Sequence, residues 1–219
     1  MIALHKNDRL AAPAQRRSYH LRPVRMVEAG QTLFREADEA NHLFEVVSGS
    51  LRLTRLLETG RRQVVAFAHP GDVVGFPAYG LHHSDCETLT SATIMVHRSA
   101  ALQNAADDPD LHRHLQSAAL AEIAALQDHL LLMARKGARG KLASFLIHLA
   151  DRHGRAHRDG VCVDLAMPRA DIADYLCMSV ETVSRSLTQL RQSGFIRLEG
   201  CQRIVVLDRA GLEEIAGAD

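Results

Sequence analysis

The sequence predicts an α+β fold in which a small amino-terminal β-roll, one long helix and a carboxy-terminal winged helix-turn-helix follow one another. Short β-type runs alternate with glycine turns between residues 30 and 97, an apolar helical stripe begins after Pro109, and two short amphipathic segments precede a hairpin pattern. We expect a tail at 1–20, the roll at 21–106, a dimerisation helix at 107–136 and the winged domain at 137–219.

The composition of the 219-residue chain excludes several classes of protein. Hydrophobic residues make up 47%, enough to bury real cores, and Lys+Arg balance Asp+Glu at 26 each. A generally polycationic nucleic-acid binder is therefore excluded, and any contact with DNA must be local. No uninterrupted apolar run reaches the roughly 18 residues that a membrane span needs, and no signal-peptide run follows the basic amino terminus. We expect a cytoplasmic protein without a membrane segment.

Short strands separated by glycine turns dominate the first half of the chain. Turns are predicted at Ser48-Gly49, Thr59-Gly60 and Pro70-Gly71. The β-type runs between these turns lie at 43–47, 51–57, 63–67, 72–76 and 88–97. Because the strands are short and closely spaced, they indicate a small antiparallel roll or barrel.

A long helix is predicted to begin at Asp107-Asp108-Pro109, since an acidic cap and a proline in the first turn favour a helix start. Apolar residues then recur at steps of four, three, four and three: Ala119, Ile123, Leu126, Leu130 and Met133. This stripe either packs on the roll of its own chain or meets a second copy, and the length of the helix favours a two-fold dimer. Gly137 and Gly140 predict a hinge after it.

The carboxy-terminal part predicts a helix-turn-helix with a wing. An amphipathic helix ending near Gly154 and a strand at 161–165 come first, followed by helices at 168–176 and 180–192. Apolar residues fall where these two helices must touch: Ile172, Ala173, Leu176, Val183, Leu187 and Leu190. Ser179 is a suitable N-cap for the second helix, and strand-like runs at 195–198 and 203–207 predict a hairpin.

The polar face of the second helix carries the candidate base-reading residues. Glu181, Ser184, Arg185 and Thr188 lie three or four positions apart and project together. An arginine can donate two hydrogen bonds to guanine O6 and N7, and a carboxylate can accept one from cytosine N4. The candidate phosphate contacts are Arg169, Ser179, Thr182 and Arg191. For Arg169 and Thr182, an ordinary solvated surface position is the alternative.

The segment RADIADYLCMSVETVSRSLTQLRQSGFI at 169–196 resembles the signature helix-turn-helix of the Crp/Fnr superfamily of bacterial transcription regulators. VVSGSLRL at 46–53 and HPGDVVGF at 69–76 resemble the cyclic-nucleotide-binding-type β-roll of that family. VETVSR at 180–185 matches the Fnr/FixK pattern, whereas the cyclic-AMP receptor branch has arginine at the Val180 position. LLMARK at 131–136 and GRRQ at 60–63 are most similar to FixK-like activators.

The resemblance implies a homodimer that contacts RNA polymerase and activates low-oxygen or nitrogen-fixation genes. It also implies a palindrome of the type TTGA-N6-TCAA, in which Arg185 reads guanine, Glu181 reads the paired cytosine, Ser184 lies near thymine, and Val180 permits thymine.

Departures from the family pattern speak against two ligands that other members of the family bind, cyclic AMP and an iron-sulfur cluster. A cyclic-AMP receptor carries Gly-Glu-Leu and an Arg-Ser pair in its phosphate cassette, whereas this chain has Gly75-Phe76-Pro77 and His82-His83-Ser84-Asp85. No cysteine precedes Cys86, so the [4Fe-4S] cluster of Fnr lacks its ligands, and the four cysteines show no paired spacing for zinc. We therefore expect neither cyclic AMP nor a cofactor.

The sequence leaves open whether the chain senses a ligand and whether Cys177 is reactive, and it speaks against an enzyme. The chain either acts without a ligand or senses haem or another small ligand, for which His69, His82 and His83 are candidates unless they lie on a solvated loop. Cys177, in the turn of the motif, is either packed or open to oxidation. An enzyme on a cupin-like roll is not expected, because no HxH with a following carboxylate and no nucleophile with an arranged base is present.

Overall fold

The computed structural model describes residues 23–134, 137–200 and 202–217 of the chain. Within these residues the amino-terminal roll consists of eight short strands. The strands are β1 (Val24–Val27), β2 (Thr32–Phe34), β3 (His42–Ser48), β4 (Leu51–Leu56), β5 (Arg62–Ala68), β6 (Val73–Val74), β7 (Asp85–Thr88) and β8 (Ala92–Arg98). The long helix is α1 (Pro109–Ala134). The carboxy-terminal unit contains α2 (Ala138–His153), β9 (Arg155–His157), β10 (Gly160–Asp164), α3 (Arg169–Tyr175), α4 (Val180–Gln192), β11 (Ile196–Glu199), β12 (Arg203–Val206) and α5 (Arg209–Gly217). The tail predicted at 1–20 lies outside the described residues.

Two antiparallel sheets form the roll, with strand orders β1-β8-β3-β6 and β2-β7-β4-β5. Their inward-facing residues enclose an apolar core that includes Val46, Leu51 and Ile94. The turn from β3 to β4 needs Gly49, because its φ is +87° and a Cβ there would lie 2.6 Å from the carbonyl oxygen of Ser91. The alternating pattern of the sequence is thus realised as a closed, two-layered roll.

Several predicted boundaries in the roll are wrong. The strand predicted at 72–76 shrinks to the two residues of β6, because Gly75 adopts a φ of +88° and ends the extended run. The strand predicted at 88–97 divides into β7 and β8, and in the intervening turn the Leu89 amide donates to the Ser50 carbonyl at 2.8 Å. β1, β2 and β9 were not predicted, since runs of three or four residues carry little periodicity.

The long helix α1 joins the roll to the carboxy-terminal unit, and the middle of the helix carries an exposed apolar surface. Leu115 packs against Leu43 and Val73 of the roll, and Leu132 enters the core of the carboxy-terminal unit. Between these anchors, large apolar side chains are exposed: Leu120, Ile123, Leu126, Leu130 and Leu131. By length and composition alone α1 is also apolar enough to cross a membrane, although charged and polar residues interrupt its apolar runs.

The two glycines of the predicted hinge lie in different settings, and a hinge between the domains stays a prediction. Gly137 precedes α2 in an extended conformation at its N-cap, as a joint between helices requires. Gly140, by contrast, lies inside the first turn of α2 and is buried, so the helix continues through it. Residues 135–136, the predicted end of the long helix, lie outside the described part of the chain.

The helix-turn-helix core forms as predicted. The six apolar residues expected between its helices are all buried in one cluster, which α2 completes with Leu142, Phe145 and Leu146. A sheet of order β11-β12-β10-β9 flanks this cluster, and β11 and β12 are the predicted hairpin. The helix α5, which was not predicted, buries Leu212 and Ala216 and closes the domain.

The roll packs directly on the carboxy-terminal unit. The Phe67 ring of β5 lies 5.2 Å from that of Tyr175 in α3, and His69 and His153 have ring centroids 4.2 Å apart. Burial raises the pKa of Tyr175 to about 12 and, together with the neighbouring His69, lowers the pKa of His153 to about 3. Both side chains are therefore neutral near pH 7, as a packed contact between the two units requires.

Candidate nucleic-acid interface

The second helix of the motif, α4, begins at the N-cap that the sequence predicts. Ser179 has an extended backbone, and its hydroxyl accepts a hydrogen bond from the Thr182 amide at 3.1 Å. The preceding turn is tight because Cys177 adopts a left-handed φ of +52° and the Met178 amide donates to the Ala173 carbonyl at 2.9 Å. The turn lets α3 and α4 pack on each other around a shared core.

The two faces of α4 differ sharply in burial. Val183, Leu187 and Leu190 point into the core. On the opposite face the predicted residues are exposed and form one continuous surface: Val180, Glu181, Ser184, Arg185 and Thr188. This surface is the candidate base-reading face.

Within the base-reading face the charged side chains are paired only weakly. Arg185 Nη2 lies 2.5 Å from Glu181 Oε1, one helical turn away, and both side chains are at least 70% exposed. An exposed pair of this spacing contributes about 0.3–0.5 kcal/mol, so either group can exchange its partner for a base edge at little cost. The Ser184 hydroxyl meanwhile donates to the Val180 carbonyl at 2.9 Å.

The four candidate phosphate contacts lie around the ends of α3 and α4. Ser179 and Arg191 are exposed, whereas Arg169 and Thr182 are half-buried. The hydroxyls of Ser179 and Thr182 lie 2.8 Å apart and are hydrogen-bonded to each other at the N-cap of α4. Contact of these four residues with phosphate stays a prediction.

The wing, which is the β11–β12 hairpin, carries two arginines that are both paired with carboxylates. Arg197 pairs with Asp159 at 2.9 Å and with Glu199 at 3.1 Å, and Arg203 pairs with Asp164 at 3.0 Å. The acidic partners Asp159 and Asp164 come from the adjacent β9–β10 hairpin, and Glu199 comes from the wing itself. On α4, by comparison, Arg191 and Arg185 are both exposed, and Arg185 pairs with Glu181.

The turn cysteine is exposed rather than packed. Cys177 Sγ lies 3.9 Å from Gln63 Oε1 of the roll, near the base of the reading helix. The interpretation as a buried structural thiol is therefore wrong for Cys177, and its oxidation stays a prediction. Cys86 does behave as a buried thiol, because burial raises its pKa well above the usual range.

The roll interior near Gly75 is filled by aromatic side chains. His82 stacks on Phe34 with ring centroids 3.9 Å apart, and a Cβ at Gly75 would lie 3.1 Å from His82. Burial lowers the pKa of His82, so this ring is neutral near pH 7 and offers no charge to a phosphate. These residues do not fit a cyclic phosphate.

The candidate haem-binding histidines are not equivalent. His69 and His82 are buried, so the solvated-loop interpretation is wrong for them, whereas His83 is exposed. His69 Nδ1 lies 3.3 Å from the Ser50 hydroxyl. In the part of the chain that the structure describes, no three His, Cys, Asp or Glu side chains form a group that could hold a metal ion.

Two family models match the chain, the cyclic nucleotide-binding domain at 24–108 and the Crp-like helix-turn-helix domain at 140–215. The nitrogen fixation regulation protein FixK of Azorhizobium caulinodans is 38% identical over 185 residues, covering 84% of this chain and 75% of the relative. The chain belongs to the FixK-like subgroup of the Crp/Fnr superfamily. Members of the Crp/Fnr superfamily are DNA-binding transcription regulators rather than enzymes.

Further Crp/Fnr proteins agree with this assignment. Transcriptional activator protein FnrL of Cereibacter sphaeroides is 34% identical, over 89% of this chain and 81% of the relative. The structure of FixK2 from Bradyrhizobium japonicum superimposes with a TM-score of 0.80 at 32% identity, covering 89% of this chain and 97% of that one. The predicted order of β-roll, long helix and helix-turn-helix is thereby confirmed as a Crp/Fnr fold.

Proposed function

We propose that this chain is a homodimeric transcription activator that acts in the cytoplasm and binds a palindrome resembling TTGA-N6-TCAA through α4. The observation that carries the proposal is the exposed face of α4, where Glu181, Ser184 and Arg185 project opposite a buried apolar face. A helix of this kind reads base edges in the major groove. Arg185 would donate to guanine O6 and N7, and Glu181 would accept from the paired cytosine.

The exposed stripe of α1 supports the homodimer. Ile123, Leu126 and Leu130 are 52%, 47% and 68% exposed in one chain, which is unusual for large apolar side chains in a row. Ala119 is half-buried, and Met133 packs towards the carboxy-terminal core, so the centre of the stripe would carry the contact. Two such helices related by a two-fold axis would bury the stripe of each against the other.

The assignment as an activator rests on the relatives. Several are named nitrogen fixation regulation protein FixK or transcriptional activator. By analogy this protein would bring RNA polymerase to promoters of low-oxygen or nitrogen-fixation genes. We infer a cytoplasmic location because both DNA and polymerase are there.

A titration of the purified protein against labelled duplexes tests the proposal. The TTGA-N6-TCAA duplex should bind roughly 10³-fold more tightly than a scrambled duplex of equal length and composition, the usual ratio for a specific regulator at physiological salt. Equal affinity for the two duplexes would contradict sequence-specific binding. The scrambled duplex also controls for contact with the phosphate backbone alone.

Cyclic AMP should leave the protein unchanged. The rings of Phe34 and His82 fill the space beside Gly75, and no arginine stands in the cassette at 75–77 or 82–85. A ligand that binds the folded state raises the melting temperature by mass action, so millimolar cyclic AMP is a sensitive probe. We expect no shift in melting temperature and no gain in operator affinity. A rise of several degrees would show that the roll does accept the nucleotide.

A second candidate, a regulator that senses a small ligand, is favoured by one cavity. A space of about 280 Å³ lies between β5, α1, α2 and α3. Two buried polar atoms of its lining residues, Ser144 Oγ and His129 Nδ1, have no hydrogen-bond partner. Burial and the nearby Asp72 raise the pKa of Glu122, also in the lining, to about 7. Visible absorption of the purified protein near 400 nm, the range of haem bands, would identify haem as the ligand.

A further inference from the structure

A cluster of opposite charges joins the roll to the first helix of the helix-turn-helix. The Asp171 side chain in α3 is only 1% exposed, and both of its oxygens accept hydrogen bonds from arginines of the roll. Arg52 Nη1 lies 2.7 Å from Oδ2, and Arg62 Nη2 lies 2.6 Å from Oδ1. Arg62 also reaches Asp174 Oδ2 at 3.1 Å. One buried carboxylate therefore ties two strands of the roll to the DNA-binding unit.

The arginines are themselves held in place on the roll. Arg52 donates through Nη2 to Glu87 of β7 at 2.8 Å, so its guanidinium bridges the roll and α3. Next to Arg62, the side-chain amide of Gln63 donates to the Asp174 carbonyl. Burial opposes ionisation of Arg52, yet its hydrogen bonds to Glu87 and Asp171 raise its pKa and keep it charged. The contact between the arginines of the roll and Asp171 is therefore supported by further hydrogen bonds, to Glu87 within the roll and to Asp174 of α3.

A buried ion pair of this kind is directional. Compared with an apolar contact of equal size it adds little net stability, because both charges lose their hydration. Its hydrogen bonds depend on geometry, so a rotation of α3 that separated Asp171 from both arginines would leave a buried carboxylate without a partner, which is strongly unfavourable. The contact consequently selects one orientation of the carboxy-terminal unit on the roll.

We propose that Arg52 and Arg62 are positioning residues that hold α3, and through it α4, in the orientation from which both halves of a palindrome are reached. α3 and α4 share a buried core, so α4 follows any rotation of α3. In the observed orientation the reading face of α4 is exposed, so this contact does not block access to DNA.

The inference rests on the proposed function, since it concerns the spacing of two half-sites on a dimer. In a two-fold dimer built on α1, the distance between the two α4 helices depends on how each helix-turn-helix sits on its own roll. Half-sites must lie about one helical turn apart, roughly 34 Å, for both helices to enter the major groove. A fixed orientation therefore produces a preference for one spacer length, and a loose orientation weakens that preference.

The test compares Arg62→Gln with Arg55→Gln on operators whose spacers are one base pair shorter, equal or longer than N6. Arg55 is a matched control because it lies on β4 beside Arg52 and pairs with Glu36 within the roll. We expect Arg62→Gln to lose about 10-fold in affinity for the N6 operator and much less for the other two spacers. Arg62→Lys, which keeps the charge, should recover part of the spacing preference, and Arg55→Gln should match wild type.

The outcomes separate the two proposals. A wild type without preference for the palindrome overturns the proposed function and this role with it. If the wild type prefers the N6 operator, three results for Arg62→Gln would overturn the positioning role alone. These are an unchanged preference for N6, an equal loss of affinity at all three spacers, and tighter binding than wild type. Melting temperatures are measured for every variant. Should Arg62→Gln unfold, Asp174→Asn replaces it, because it leaves the buried Asp171 carboxylate paired and weakens only the more exposed contacts of Asp174 with Arg62 and Arg61.

Discussion

Replacing Leu126 and Leu130 together by aspartate is expected to convert the dimer into monomers and to abolish palindrome binding at concentrations where the wild type is saturated. Both side chains are exposed at the centre of the stripe on α1, so the change should not unfold the single chain. In the proposed dimer the four introduced carboxylates would face one another in an apolar contact, where unpaired charges are strongly unfavourable. Because the second half-site of a dimer binds intramolecularly, its loss should lower affinity by about 10²- to 10⁴-fold.

Sedimentation and operator titration measure this result. Ala121→Asp with Ala124→Asp is the matched control, since it places the same charges on exposed positions of α1 outside the stripe. The control should stay dimeric and bind normally. If the Leu126→Asp, Leu130→Asp variant sedimented as a dimer, or bound the palindrome as tightly as wild type while monomeric, the stripe would not be the dimer interface.

Arg185→Ala is expected to cost about 1–3 kcal/mol of operator binding and to relax discrimination at the guanine of each half-site. Arg185 is exposed on the reading face, and only its weak pair with Glu181 is lost in the free protein. The penalty should therefore appear in DNA binding and not in the free energy of unfolding. On operators in which the guanine is replaced by another base, the affinities of the variant and of the wild type should become equal.

Arg191→Ala provides the comparison for a phosphate contact. Arg191 lies exposed in the last turn of α4, away from the amino-terminal half that carries Arg185. Its removal should weaken all operators alike and lower the slope of log affinity against log salt by about one. If Arg185→Ala showed this uniform behaviour and Arg191→Ala lost discrimination, the assignment of the two arginines would have to be exchanged.

The reading helix was predictable because its determinants are local. The N-cap at Ser179 and the apolar residues of 180–192 lie within one helix, so spacing alone places Arg185 and Glu181 on the exposed face. The same reasoning located the stripe on α1. Gly140 was predicted wrongly, since a glycine inside a helix and a glycine at a joint look alike in a single sequence.

The contacts between the two units could not be predicted. Asp171 looks like an ordinary solvated carboxylate on α3, and its partners Arg52 and Arg62 lie more than 100 positions earlier in the chain. Nor does the sequence show that Asp159 neutralises Arg197 of the wing, because this pairing depends on the register of two hairpins. Periodicity reports which face of an element is buried, but not which distant residue covers it.

Methylation interference on the TTGA-N6-TCAA duplex tests the central claim most directly, that two copies of α4 read the two half-sites from the major groove. A methyl group on guanine N7 blocks the acceptor that Arg185 is proposed to use and leaves the phosphate backbone intact. We expect methylation of the guanine in each half-site to prevent binding to the same degree, and methylation of guanines placed in the spacer to have no effect. Binding that tolerates methylation of both guanines, or interference in one half-site only, would contradict it.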